Sequence, residues 1–192
     1  MIITPASLEA LLARVSAKDT VRGFVSNAIL GHVERIKGAP VASGVLERVL
    51  RKRPNDLLSY PAPDFFRLLI ACTEAIALPG KHGEALHDLG HAAAAGFFVS
   101  PMGKVLLSIV GKGNPPRLMA NEPTAYATSF TFGKRRYEKI AAREFALVHQ
   151  EDLLPVPFNV GALEAAVESV GEKAQVTVTE LGADSARYVL RW

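Results

Sequence analysis

Arg143-Glu144-Phe145-Ala146-Leu147-Val148-His149-Gln150 decides the fold class. Phe145, Leu147 and His149 fall on one face at a period of two, the mark of a strand. Downstream, Val176-Thr177-Val178-Thr179 and Arg187 to Trp192 also read as strands. Gly182-Ala183-Asp184-Ser185 turns between them, which predicts a hairpin. Between these strands, Gly161 to Val170 has a helical period, with Leu163, Ala166, Val167 and Val170 inward and Gly171 as its stop. Upstream, the apolar period is helical as far as Tyr126, after which Ser129-Phe130-Thr131-Phe132 is expected to be the first strand. Helices first and strands last predict an α+β fold with a small antiparallel sheet. We expect one domain over residues 1–192, mainly helical through 126 and sheet plus one helix over 127–192.

The helical part is punctuated by capping residues. Ser7 is expected to cap a short helix to about Val15, and Asp19 or Thr20 a second one to Lys37, ended by Gly38. Ala42 to Arg53 forms a third, stopped by Pro54. Tyr60-Pro61-Ala62-Pro63-Asp64 leads into an apolar helix from Phe65 to about Leu78, and the next runs from His82 to Phe98. The small residues Gly90 to Gly96 in that helix would let another helix approach closely. Ser100-Pro101 opens a further helix closed by Gly111, and Arg117 to Asn121 forms one turn.

Composition narrows the function classes. The 192 residues are 49% hydrophobic and 21% charged, enough to build a core without staples and too apolar for a disordered chain. A single cysteine, Cys72, excludes an internal disulfide and a cysteine-rich zinc site. No apolar run is long enough to span a bilayer, and Met1-Ile2-Ile3-Thr4-Pro5 lacks the features of a signal peptide, so a cytoplasmic protein is expected. Residues 101–143 carry 8 basic and 2 acidic side chains, while residues 144–192 carry 3 and 8. The two segments are expected to pack together and neutralise each other.

Several constellations are candidates for chemistry. His87 and His91, four apart on one helix face, suit a transition metal, with Glu84 as a third ligand. The alternative is two half-exposed histidines beside a buried stripe. Lys134-Arg135-Arg136, with Arg117, Lys104 and Lys112 as neighbours, could hold a phosphate or an acidic partner. If they lie on a strand, however, 134 and 136 face away from 135 and 137. Arg117 could instead pair with Glu122. Phe66, Cys72 and Phe98 are candidates to line an apolar pocket, Cys72 otherwise being a small buried hydrophobe. No phosphate loop, nucleophile elbow or carboxylate pair is evident.

The chain resembles a family of proteins of about 200 residues, largely confined to myxobacteria and without assigned function. The resemblance rests on Gly23-Phe24 through Asn27, Tyr60-Pro61 with Asp64-Phe65, Leu89-Gly90, Gly103-Lys104 and Pro116-Arg117-Leu118. It continues through Pro123 with Tyr126, Phe132-Gly133, Gly161 with Leu163-Glu164, Gly171 and the closing Tyr188 to Trp192. More remotely, helices followed by a small sheet is similar to haem–nitric-oxide-binding domains and to vinyl-reductase-type ligand-binding domains. That resemblance implies binding of haem or another small molecule. Haem would need an axial histidine before the proline-rich loop, and Val105 to Lys112 contains none, so no cofactor is expected.

These observations point to a non-catalytic signalling or regulatory module that binds a protein partner or a small apolar ligand. The ligand reading predicts a closed apolar cavity of about 300 Å³ or more between helices and sheet. The partner reading predicts a contiguous exposed apolar patch above about 600 Å², and a homo-oligomer is compatible with it. A metal protein or enzyme using His87 and His91 is the alternative. Nucleic-acid binding through Lys134, Arg135 and Arg136 is the weaker alternative, since no recognition motif accompanies them.

Overall fold

The structure is a computed structural model and describes residues 4–110 and 113–192. The expected stop at Gly111 and the expected role of Lys112 therefore lie outside the described residues, as do Met1 to Ile3. The chain runs α1 (Pro5–Leu12), β1 (Thr20–Arg22), α2 (Gly23–Lys37), α3 (Ala39–Val49), β2 (Ser59–Pro61) and α4 (Ala62–Ile76). It continues through α5 (His82–Val99), α6 (Pro101–Val110), α7 (Pro115–Ala120) and α8 (Glu122–Ser129). The last part is β3 (Lys134–Ala141), β4 (Glu144–Gln150), α9 (Val156–Glu168), β5 (Gln175–Gly182) and β6 (Ser185–Arg191). The α+β class and the β5–β6 hairpin match the sequence reading.

Proline sets most of the differences in helix boundaries. Pro5 occupies the first turn of α1, so Thr4 is the N-cap and Ser7 closes the capping box from the third position. Pro40 moves the start of α3 ahead of Ala42, and Arg51, at φ 64°, breaks the chain before Pro54 is reached. Pro157 sits in the first turn of α9, which begins at Val156 rather than Gly161. Thr20 caps nothing: Thr20–Arg22 pairs antiparallel with Ser59–Pro61, and α2 starts at Gly23. A side chain at Gly23 would collide with the Asn55 carbonyl, 2.0 Å from an ideal Cβ. Ser129 to Phe132 is not a strand of the main sheet. Ser129 ends α8, and Phe130 makes only an isolated bridge to Val21. The first strand of the main sheet is instead the basic run Lys134–Ala141.

The main sheet is antiparallel with order β3-β4-β6-β5. β4 is central, and its Phe145 to Val148 are buried on both faces. Two apolar clusters fill the molecule. One joins α2, α4 and α5 through Ile29, Leu30, Phe65, Phe66, Leu69 and Leu89. The other joins the sheet to α9 through Phe145, Leu147, Leu190, Leu163 and Val167. The crossing of α5 and α9 ties them together. A Cβ at Gly90 would lie 1.9 Å from the Phe158 carbonyl oxygen, and one at Gly161 2.0 Å from that of His87. The two helices thus meet backbone to backbone, as the small-residue stretch predicts.

The basic middle and acidic end do pair. Arg135 meets Asp152, Lys134 meets Glu151 and Arg143 meets Glu172. Among the described residues, no single helix is long and apolar enough to cross a membrane.

Candidate functional site

Where the two apolar clusters adjoin, they leave a cavity of about 120 Å³. Val25, Ala93 and Phe158 line it from the helical cluster; Leu118, Met119 and Leu163 line it from the sheet cluster. Phe24, Phe97, Phe98 and Phe130 add aromatic surface. The cavity lies between helices and sheet as expected, but it is smaller than the ~300 Å³ anticipated and is partly open rather than closed. Bulky rings meeting edge-on, such as Phe97 against Phe98 with centroids 5.2 Å apart, take up the remaining space.

One wall is polar. His149 points inward from β4 and Asn159 from α9, both buried, while Glu122 and Tyr126 come from α8. Behind them lies Arg135, whose side chain is only 1% exposed. Its guanidinium lies 3.1 Å from Asp152, 3.6 Å from Glu122 and 3.7 Å above the Tyr126 ring. Arg135 reaches this position because β3 alternates: 135 and 137 turn inward while 134 and 136 turn to solvent. Asp152 also accepts a hydrogen bond from Asn159 Nδ2 at 2.7 Å. The His149 ring packs against Tyr188 with centroids 4.4 Å apart.

Burial sets the protonation of this cluster. It pushes Glu122 up to about 7, only partly offset by Arg135. Burial, reinforced by Arg135, pushes His149 down to about 4, so the imidazole is neutral at pH 7. Burial would raise Asp152, but Arg135 and His149 overcome it and hold the carboxyl at about 2. His149 Nδ1 faces Asp152 Oδ2 at 3.3 Å, too oblique for a well-formed hydrogen bond but close enough to hold the ring proton on that side. His149 Nε2 and Glu122 Oε2 have no hydrogen-bond partner among the described residues.

The residues singled out from sequence are dispersed. Phe98 lines the cavity, whereas Phe66 and Cys72 are packed in the helical cluster, and burial pushes the Cys72 thiol up to about 12. His87 and His91 do not converge on one point. His87 Nε2 lies 2.8 Å from Glu164 and His91 Nε2 2.8 Å from Glu168, two separate contacts between α5 and α9. Glu84 pairs with Lys81. Among the described residues, no group of three His, Cys, Asp or Glu side chains is arranged to hold a metal ion.

Lys134, Arg135 and Arg136 do not form one patch. Arg135 is interior, while Lys134 pairs with Glu151 and Arg136 with Glu138. Arg117 is exposed on α7, and Glu122 faces Arg135 rather than Arg117. Sequence reasoning missed His149, Glu122 and Asp152 as site residues. The available signal was a histidine on the inward face of an otherwise apolar strand.

A second feature adjoins the cavity. α6 meets α5 at a bend of 80°. Leu106 on α6 lines the cavity, while Met102, Val105 and Ile109 are 56–60% exposed, together with Val99 just before the bend.

The model of a family described as "Protein of unknown function (DUF2378)" matches residues 14–192. No curated protein matches the chain. Solved structures do. An H-NOX protein from S. oneidensis in the Fe(II)NO ligation state superposes with a TM-score of 0.72 at 13% identity, covering 88% of this chain and 98% of that one. An Fe(II) unliganded H-NOX mutant from K. algicida gives 0.67 at 12%, covering 88% and 95%. A protein solved in work on haem redox potential and porphyrin distortion gives 0.69 at 12%, covering 89% and 99%. The fold is therefore H-NOX-like.

Haem, which that fold implies, does not fit the residues present. The cavity is well below the ~300 Å³ at which pockets for drug-sized molecules begin, and a porphyrin is larger still. α6 carries no histidine, and the inward-facing Arg135 is already engaged by Asp152.

Proposed function

We propose, for a chain that belongs to the DUF2378 family of proteins of unknown function, a regulatory module that binds one compact, largely apolar molecule between its helices and its sheet. The observation that carries this reading is the cavity of about 120 Å³, ring-lined and bordered by a buried polar wall. The space is somewhat smaller than the roughly 150 Å³ apolar cavity that holds benzene, so it suits a ligand no larger than one aromatic ring. The H-NOX-like architecture, used by other proteins around iron and diatomic gases, supports a ligand chamber but not the same ligand.

The output side of the module is α6. Leu106 faces the cavity, and the exposed apolar side chains Met102, Val105 and Ile109 offer a surface to a protein partner. A ligand that shifts Leu106 shifts that surface with it.

The test is thermal unfolding in the presence of benzene or toluene, with haem as a separate probe. We expect a saturable rise in Tm with the small aromatics, reduced when Ala94→Leu fills part of the cavity. Haem is expected to give no stoichiometric complex with a defined Soret band. A Tm unmoved by any small aromatic, or a tight one-to-one haem complex, would sink this reading.

A further inference from the structure

The polar wall of the cavity specifies more than size. Among the residues that line it, His149 Nε2, Glu122 Oε2 and the Tyr126 hydroxyl are buried side-chain atoms without a hydrogen-bond partner among the described residues. His149 is 2% exposed at its side chain, and its Nδ1 edge is turned to the Asp152 carboxylate. His149 lines the cavity and Asp152 does not, so Nε2 is the ring nitrogen left for a ligand to reach. A neutral imidazole has one N–H and one lone pair. With the proton held on Nδ1, Nε2 is an acceptor only. Glu122 Oε2 accepts as well when the carboxylate is ionised, and the tyrosine hydroxyl adapts to either role. Arg135 pairs with Asp152 at 3.1 Å and does not line the cavity, so it sets no positive charge against an anionic ligand there. Its charge over the Tyr126 ring also disfavours a cation at that wall.

We infer that the cavity takes a small neutral molecule of the phenol, alcohol or azole class, with an apolar body against the phenylalanines and one O–H or N–H donating to His149 Nε2. The inference rests on the proposed ligand-binding reading and adds its selectivity. A ligand without a donor leaves this buried acceptor orphaned as it is in the free protein, whereas a donor satisfies it.

Calorimetric titration of the full chain with phenol, toluene and anisole tests this, because the three share an apolar ring and only phenol donates. Phenol is expected to bind at least about tenfold more tightly than either of the others, the size of effect one satisfied buried acceptor provides. It should also shift the Nε2 nitrogen resonance of His149. In folded His149→Phe the preference for phenol should vanish while toluene binding persists. Equal binding of phenol, toluene and anisole by the unmodified chain would overturn the inference and leave the cavity reading standing. Failure of all three to bind would remove the cavity reading itself, and this inference with it.

Discussion

Among the described residues, the histidine–carboxylate contacts at the α5–α9 seam and the one inside the molecule differ in almost everything except chemistry. His87 with Glu164 and His91 with Glu168 repeat at a helical spacing across the α5–α9 seam, and all four side chains are 30–47% exposed. His149 with Asp152 is a single contact, 2% and 6% exposed, backed by Arg135 and Glu122. Solvent screens the first set, which therefore links two helices weakly. The second set sits where the local dielectric is low, so its charges must be balanced within the cluster. A regular spacing marked surface contacts here, while the chemically distinctive group was assembled from residues 122, 135, 149 and 152 by the fold.

The largest effect is expected from Asp152→Asn. It removes the principal counter-charge of a buried guanidinium and should cost about 3–5 kcal/mol, the penalty for breaking a buried pair by deleting one partner. Urea denaturation measures it. A loss below about 1 kcal/mol would mean that the interior cluster behaves like the surface contacts.

A middle-sized effect is expected from pH. His149 has a folded-state pKa of about 4, below its ordinary value, so its contribution is present above about 6.5 and is lost as pH falls through 4. Glu122 has a folded-state pKa of about 7, above its ordinary value, so its contribution is present below about 4.5 and is lost as pH rises through 7. Across the shared window the two slopes oppose each other, and the unmodified protein should show a nearly flat stability profile between pH 4.5 and 6.5. Glu122→Gln should unmask stability that rises with pH there, and His149→Gln stability that falls, each by ~2–3 kcal/mol across the window. Chemical denaturation at several pH values reads both slopes, and equal slopes in the two variants would contradict the assignment.

The smallest effect is expected at the seam. His87→Ala together with His91→Ala should change stability by no more than about 1 kcal/mol at pH 7. A loss of several kcal/mol in the same denaturation assay would move these pairs into the class of the interior cluster.

Much of the fold was legible in residue pattern. The period-two run around Phe145 and Leu147 places the central strand, and the turn Gly182 to Ser185 places the hairpin. Gly90 correctly signals a close helix contact. Boundaries were less legible where a proline began a helix earlier than the apolar period suggested, as at Pro40 and Pro157. β3 was hidden because an edge strand exposes most of its side chains and so lacks a strong apolar alternation. The candidate site was almost illegible for a different reason. Glu122, Arg135, His149 and Asp152 become neighbours only through the pairing of β3 with β4 and the docking of α8. The alternation that turns Arg135 inward was visible, but nothing in the sequence named the acids that would receive it.

The contact of α5 with α9 at Gly90 and Gly161 has a mechanical consequence. Helices that touch through their main chains have no side-chain layer to yield between them, so this side of the chamber acts as a fixed anvil. Under the proposed function, displacement caused by a guest falls instead on α6, a short helix that hangs from an 80° elbow and shows its greasy back to the surroundings.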